Sequence, residues 1–447
     1  MGEIDSRAGL EDCQLESLRN LVAEVAATNP FYRARWAAAA VDTEVRSLAD
    51  FNARVPFTWK HELIADQSAH PPYGTNLTYP LERYSRCHGT SGSTGHPLRW
   101  LDTTESWNWM LGNWSRVYDA AGVGRGDRVF FAFSFGPFLG FWTAFESALK
   151  RGCLCLPGGG LTSHARLLSI LEQQATVLCC TPTYALHLGD VAKSKGIDLS
   201  GSRVRRIIVA GEPGGSLAST RREIMDRWPG AEVTDHHGMT EVGPVSYACP
   251  VQPGVLHVIE SSYLVEIVEP RTGRPVDAGV EGELVLTTLG RVGSPLLRYR
   301  TGDVVRARAG GGGVEGPGPS SACRCGAWDV ALEGGVLGRT DDMVVIRGVN
   351  VYPSAVEEVV HSVPGAGEFR CDVRSAGALL ELALQVEPAD EGVDAEGLRA
   401  AVETTFQTRL SLRVPVEVVA RNTLPRFEMK SRRWIRSASM EQGVWVR

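Results

Sequence analysis

The chain has 447 residues, 43% hydrophobic and 22% charged, which is enough for a large α/β domain with a smaller partner. Lys and Arg number 46 against 52 Asp and Glu, a formal charge of −6, so no global basic field exists to hold nucleic acid or an anionic membrane. Ten cysteines in a reducing compartment point to metal ligands or buried thiols rather than a disulfide framework.

In chain order, the first residues carry Glu3, Asp5, Glu11 and Asp12 and lack the apolar core of a secretory signal, so a cytoplasmic location is expected. Residues 15–27 have the spacing of an amphipathic helix, closed by Asn29 and Pro30. Gly89-Thr90-Ser91-Gly92-Ser93-Thr94-Gly95-His96-Pro97 is an anion cradle by composition, because small residues let successive N–H groups turn inward and the hydroxyls add donors. No Walker spacing is met, and a plain Gly/Ser surface loop has the same composition. The apolar stretch 129–145 is broken by Ser134, Gly136, Pro137 and Gly140, which predicts a buried strand, loop and helix and no membrane span. Residues 204–210 read as a buried strand running into the turn 211–215, where α/β sheets place ligands. Short strands at 264–268 and 283–287 predict a β-rich subdomain over about 245–337, and 310–319 is a Gly/Pro loop. The last stretch reads as a small α+β unit with strands at 343–346, 380–386 and 415–420 and helices at 353–363 and 393–410.

Further motifs follow the cradle: His236-His237-Gly238-Met239-Thr240-Glu241 after one strand, Tyr299-Arg300-Thr301-Gly302-Asp303 at the end of another, Gly338-Arg339-Thr340-Asp341-Asp342 before Arg347-Gly348-Val349-Asn350, and Leu424-Pro425-Arg426-Phe427-Glu428-Met429-Lys430. In this order they resemble the adenylate-forming superfamily of acyl-CoA ligases, adenylation domains and luciferases. The likeness is strongest to its phenylacetate–CoA ligase branch, through Arg-Gly-Val-Asn-Val-Tyr-Pro at 347–353 and the Leu-Pro-Arg approach to Lys430. Singly, Glu241 and Asp303 would pass for ion-paired carboxylates and the basic run 426–436 for a solvated face; the constellation overturns that.

The resemblance implies an α/β fold with a large, multi-subdomain N-terminal domain over 1–340 and a small mobile C-terminal cap over 341–447, hinged at Asp341. It implies that Thr90, Ser91, Gly92, Ser93, Thr94 and Gly95 hold the ATP β- and γ-phosphates and that Glu241 binds Mg²⁺, a hard cation suited to oxygen ligands. Asp303 would take the ribose hydroxyls. Gly211, Glu212 and Pro213, with Asp235, would line the adenine, and His236, His237, Thr240 and Arg339 would complete the nucleotide side. Lys430 would reach the α-phosphate and the acid. Three departures stand out: His96 replaces a lysine after the cradle, His237 replaces the tyrosine that stacks on adenine, and Phe427 and Met429 replace small residues before Lys430.

Cys249, His257, Cys323 and Cys325 suit tetrahedral Zn²⁺ by ligand type, although the long gap makes spacing alone a weak signal. Some members of the branch hold a structural metal in this order of residues. Cys153, Cys155, Cys179 and Cys180 sit in apolar runs and read as core. The aromatic segment 131–142 falls where the branch builds its aryl pocket, with Phe133, Phe138, Gly211, Gly238 and Met239 toward the acid; plain core aromatics are the alternative. His236 and His164 are the candidates for sensing a ring substituent. The expected activity is activation of an aromatic acid by ATP and transfer to coenzyme A, with delivery to a carrier protein or amine as the alternative. The expected partners are the acid, ATP and CoA and a second copy in a homodimer, with neither nucleic acid nor membrane.

Overall fold

A computed structural model describes residues 6–90, 97–309, 322–342, 344–346, 349–376, 379–427 and 433–436. Residues 91–96 of the cradle, the Gly/Pro loop 310–319 and Lys430 lie outside the described residues. The fold is α/β, with a large N-terminal domain and a small C-terminal one.

Four helices open the chain, Arg7–Thr28, Pro30–Ala38, Leu48–Arg54 and Lys60–Ala69. The first begins well before the expected residue 15, because the Ser6 side chain accepts from the Gly9 N–H and caps it. Asn29 ends that helix and caps the next, whose first residue is Pro30.

The core of the large domain is a five-stranded parallel sheet in the order Leu154–Pro157, Arg128–Phe131, Val177–Cys180, Arg206–Val209, Glu232–Asp235. Both faces are covered, so the strands read as continuous apolar runs. Val129, Phe131, Val177, Cys179 and Ile208 face one core, and Phe130, Leu178, Cys180, Ile207, Val209 and Val233 the other. The β-rich part is a six-stranded antiparallel sheet, ordered Ser246–Ala248, Val255–Val258, Ala331–Arg339, Tyr299–Ala307, Glu281–Thr288, Tyr263–Val268. Residues 299–303 begin a strand there rather than ending one, since Tyr299 and Arg300 pair with Leu286 and Val285.

The small domain has its own core, from Val344 to Val416, under a sheet ordered Val416–Val418, Leu379–Pro388, Ala366–Ala376, Trp434–Arg436. The helices Pro353–His361 and Ala395–Leu410 match expectation closely. The strand Ala366–Ala376 was not anticipated, although Phe369, Cys371 and Val373 enter the core at the period of two that marks a strand. No described helix is long and apolar enough to cross a membrane.

Candidate active site

The site lies at the carboxyl ends of the parallel strands. After Arg206–Val209 the chain enters the 211–215 loop, and after Glu232–Asp235 it reaches His236 and His237. These two loops touch: a Cβ on Gly215 would fall 2.3 Å from the Asp235 carboxylate, so only glycine fits. Ser216 Oγ donates to Asp235, whose buried carboxyl desolvation pushes up. The Glu212 carboxylate accepts from the Thr183 N–H at 2.8 Å and fixes the loop.

Asp303 is buried on the neighbouring sheet. His237 Nε2 donates to its Oδ2 at 2.9 Å and Arg339 Nη1 to its Oδ1 at 3.0 Å. Burial alone would raise the Asp303 pKa, but the hydrogen bond and charge of His237 and the Arg339 guanidinium outweigh it and hold the carboxyl below its ordinary value. An ionised acceptor results, the form a diol needs. His237 thus differs from the expected tyrosine in more than ring size, because its ring is hydrogen-bonded to Asp303. Arg339 also pairs with Asp341, Nε to Oδ1 at 2.8 Å, which links Asp303 to the proposed hinge.

Glu241 sits in the turn of the short hairpin Gly238–Met239 with Gly243–Pro244. Its carboxylate is buried and lies 3.1 Å from Lys60 Nζ. Behind it, Arg291 donates to the carbonyls of Thr240 and Glu241 at 2.7 and 2.8 Å and to both Asp102 oxygens at 2.7 Å. Arg291 and Asp102 side chains are both 0% exposed. Lys60, Asp102 and Arg291 carry no local sequence signal; only the fold brings them to Glu241.

Of the cradle, Thr90 is described. Its N–H donates to the Leu98 carbonyl at 3.0 Å and its Oγ1 accepts from the Leu98 N–H at 3.0 Å, so Thr90 closes the base of the loop. The Gly89 N–H donates to the Pro137 carbonyl at 2.8 Å and ties the cradle to the aromatic segment. There Phe133 stacks on Phe141 with ring centroids 4.0 Å apart, and Phe138 meets Phe141 edge-on at 6.1 Å. Phe131 is buried, but Phe133, Phe138, Phe141 and Trp142 are half-buried, so this wall is not plain core. Met239 is half-buried against the main core of the large domain.

The basic run 426–436 is not a solvated face at two of its arginines. Arg426 pairs with Glu387 at 2.6 Å, and Arg433 pairs with Glu357 at 2.6 Å and with Glu368. Lys430 falls between these two anchors in the chain.

Cys249 follows the strand Ser246–Ala248 and His257 lies in its neighbour Val255–Val258, and Cys323 and Cys325 come from a distant segment; their ligand atoms all lie within 4.8 Å of one another. Cys249 Sγ and Cys323 Sγ are 3.8 Å apart and Cys325 Sγ is 3.4 Å from His257 Nε2. A Zn–S bond of about 2.3 Å gives a tetrahedron edge of about 3.8 Å. The His257 Nδ1–H donates to the Asp329 carbonyl at 3.2 Å, which leaves Nε2 free to ligate, and burial keeps the ring neutral. All ten cysteines are unbridged; Cys153, Cys179 and Cys180 are buried as expected, with burial pushing their thiols up, whereas Cys155 is only half-buried against the core.

Residues 90–290 match the AMP-binding enzyme family and residues 348–437 match the AMP-binding enzyme C-terminal domain. The phenylacetate-coenzyme A ligase of Thermus thermophilus is 34% identical over 388 residues, covering 86% of this chain and 82% of that protein. The chain belongs to the phenylacetate–CoA ligase branch of the adenylate-forming enzymes.

Within this branch's superfamily, 2-hydroxyisobutyryl-CoA ligase in its postadenylation state with an acyl-AMP superposes at a TM-score of 0.90, with 28% identity, over 98% of this chain and 91% of that one. The same ligase in its thioesterification state, with acyl-AMP and CoA, superposes at 0.68, with 29% identity, over 97% of this chain and 91% of that one. Taken together, the large and small domains here superpose more closely on the postadenylation structure than on the thioesterification one. Across their boundary His361 Nδ1 lies 3.1 Å from Glu223 Oε1, and Lys193 pairs with Asp390 at 2.8 Å.

Proposed function

We propose that this chain, an AMP-forming acid–CoA ligase, takes an aromatic carboxylic acid of the benzoate, aminobenzoate, hydroxybenzoate or phenylacetate type. The half-buried wall of Phe133, Phe138, Phe141 and Trp142 carries this reading, because it offers flat apolar surface beside the nucleotide side of the site. The difficulty of the reaction is electrostatic: a carboxylate oxygen must attack an α-phosphorus that already bears negative charge. Thr90, Ser91, Gly92, Ser93, Thr94 and Gly95 hold the β- and γ-phosphates, and Asp303 fixes the ribose while Gly211, Glu212, Pro213 and Asp235 line the adenine. Glu241 would hold Mg²⁺, which would supply charge neutralisation at the phosphates. Lys430 balances the charge that develops as the bond to pyrophosphate breaks, and Arg426 and Arg433 pin the chain on either side of it. The acyl-adenylate is then attacked at its acyl carbon by the CoA thiol, with AMP leaving, after the small domain turns about Asp341.

The substrate class is tested by acid-dependent pyrophosphate release across benzoates, hydroxybenzoates, aminobenzoates and phenylacetates, with 2-hydroxyisobutyrate and a long fatty acid for comparison. Aromatic acids are expected to give the highest kcat/KM. A preference for either comparison acid overturns the reading.

The Cys249, His257, Cys323 and Cys325 group fits a closed structural Zn²⁺ site, on ligand type, spacing and the Asp329 contact behind His257. It pins the segment before Ala331–Arg339 to the sheet and takes no part in the chemistry. Metal analysis of the purified chain should find one zinc per chain, and Cys323→Ser should lose it together with thermal stability. Absence of stoichiometric zinc in the parent protein refutes the site.

A further inference from the structure

His236 is only 5% exposed, yet its ring is not fully used by the protein. Its Nδ1 lies 2.7 Å from the Ser246 carbonyl oxygen, and since a carbonyl only accepts, Nδ1 carries the hydrogen. Burial holds the imidazole pKa down to about 4, so the ring is neutral and Nε2 keeps a lone pair. Among the described residues no donor reaches that nitrogen. Nε2 looks toward the bare α-carbon of Gly238, where a Cβ would stand 3.3 Å from it. The same Cβ would stand 2.9 Å from the Gly243 carbonyl oxygen, so glycine at 238 is what lets the hairpin close beside the ring. The ring packs on Trp114 with centroids 4.3 Å apart, and the Trp114 indole N–H is itself buried without a partner.

The placement says which side Nε2 serves. The hairpin that begins at Gly238 packs against the helix Leu139–Lys150, which carries Phe141 and Trp142. His236 thus stands two residues before an element that packs on the helix carrying the proposed aromatic wall. His164, the other candidate, is exposed and does not share this position. An open acceptor in an apolar wall favours a ligand that brings a donor and penalises one that brings none.

We infer that His236 sets substrate specificity by accepting, through Nε2, a hydrogen bond from a hydroxyl or amino group on the ring of the acid. The inference rests on the aromatic-acid reading and narrows it to ring-hydroxylated or ring-aminated acids. It assigns His236 to the acid rather than to the nucleotide.

The test compares kcat/KM for pyrophosphate release with ortho-, meta- and para-hydroxy and amino acids against their methoxy and dimethylamino counterparts, which cannot donate. At one ring position the donor-bearing acid should exceed its blocked counterpart by at least about tenfold in the parent enzyme. His236→Leu should bring that ratio close to one, and His236→Gln, which keeps an acceptor, should retain part of it. The stronger of the hydroxy and amino arms identifies the donor. A ratio near one at every position in the parent, or a ratio unchanged in His236→Leu, overturns the inference while leaving the aromatic reading intact. Pyrophosphate release with no aromatic acid at all overturns both.

Discussion

Glu241→Gln is expected to lower acid-dependent pyrophosphate release by on the order of 10²- to 10³-fold, the size of loss seen when one preorganised charge contact is removed from a reacting site. The exchange keeps the shape of the side chain and one carbonyl acceptor but deletes the charge. Two things follow from the geometry. Mg²⁺ loses the carboxylate proposed to hold it, and Lys60, 3.1 Å away, loses its counter-ion. Lys60 is 39% exposed, so its own removal should cost less, and the double variant should fall short of the product of the single losses because the two groups share one interaction. Steady-state kinetics at varied Mg²⁺, with thermal melting as a control for folding, measure this. A rate within threefold of the parent would make Glu241 a buried structural carboxylate and nothing more.

Arg291→Ala should cost about 3–5 kcal/mol of stability, the range found when one partner of a buried ion pair is removed. Both oxygens of Asp102 would lose their guanidinium and the carbonyls of Thr240 and Glu241 would lose their donor, in a place with no access to water. Arg291→Lys should recover little, because an ammonium cannot reproduce four hydrogen bonds from one planar fork. Arg291→Met combined with Asp102→Leu should recover much of the stability, since the cost comes from the uncompensated charge rather than from the lost pair. It should not recover adenylation, because the turn that carries Glu241 would still lack its anchor. Chemical denaturation and pyrophosphate release, measured on the same variants, separate the two effects. Equal recovery of both would contradict a positioning role for Arg291.

These residues also show where the sequence was legible and where it was not. The strand Arg206–Val209 and the two small-domain helices follow from local apolar patterns, because burial on one or both faces leaves its period in the residues. The strand Ala366–Ala376 carries the same signal, but charged Arg370 and Asp372 between its core positions obscured it. Gly302 with a φ of 78° made 299–303 look like the end of a strand, whereas it is a left-handed kink near the start of one. The motifs at 236–241 and 299–303 were visible as ordered motifs, and the fold hydrogen-bonds His237 to Asp303 while Asp235 takes the Ser216 hydroxyl and the His236 N–H. Lys60, Asp102 and Arg291 could not be read, since their importance comes only from tertiary contacts across distant segments. Arg426 and Arg433 misled in the opposite sense: a basic run normally marks solvent, but their partners Glu387, Glu357 and Glu368 are far enough away in sequence to leave no charge pattern.

The network around Asp303 explains how the two halves of the enzyme are tied. Arg339 touches Asp303 on one side and Asp341 on the other, so the carboxylate proposed to hold the ribose and the proposed hinge share one guanidinium. His361 and Glu223 add a contact between the small domain and the helix Ala218–Arg227 in the postadenylation arrangement. The proposed turn of the small domain for thioester formation would exchange such contacts.

The central claim, that one site makes an aryl-adenylate and passes it to CoA, is tested most directly by following the product. With the preferred aromatic acid, ATP, Mg²⁺ and CoA, mass analysis should show one aryl-CoA thioester formed for each AMP released, and no adenylate should build up. Adenylate that accumulates in the presence of CoA, with no thioester formed, would contradict the account and point instead to a carrier protein or an amine as the acceptor.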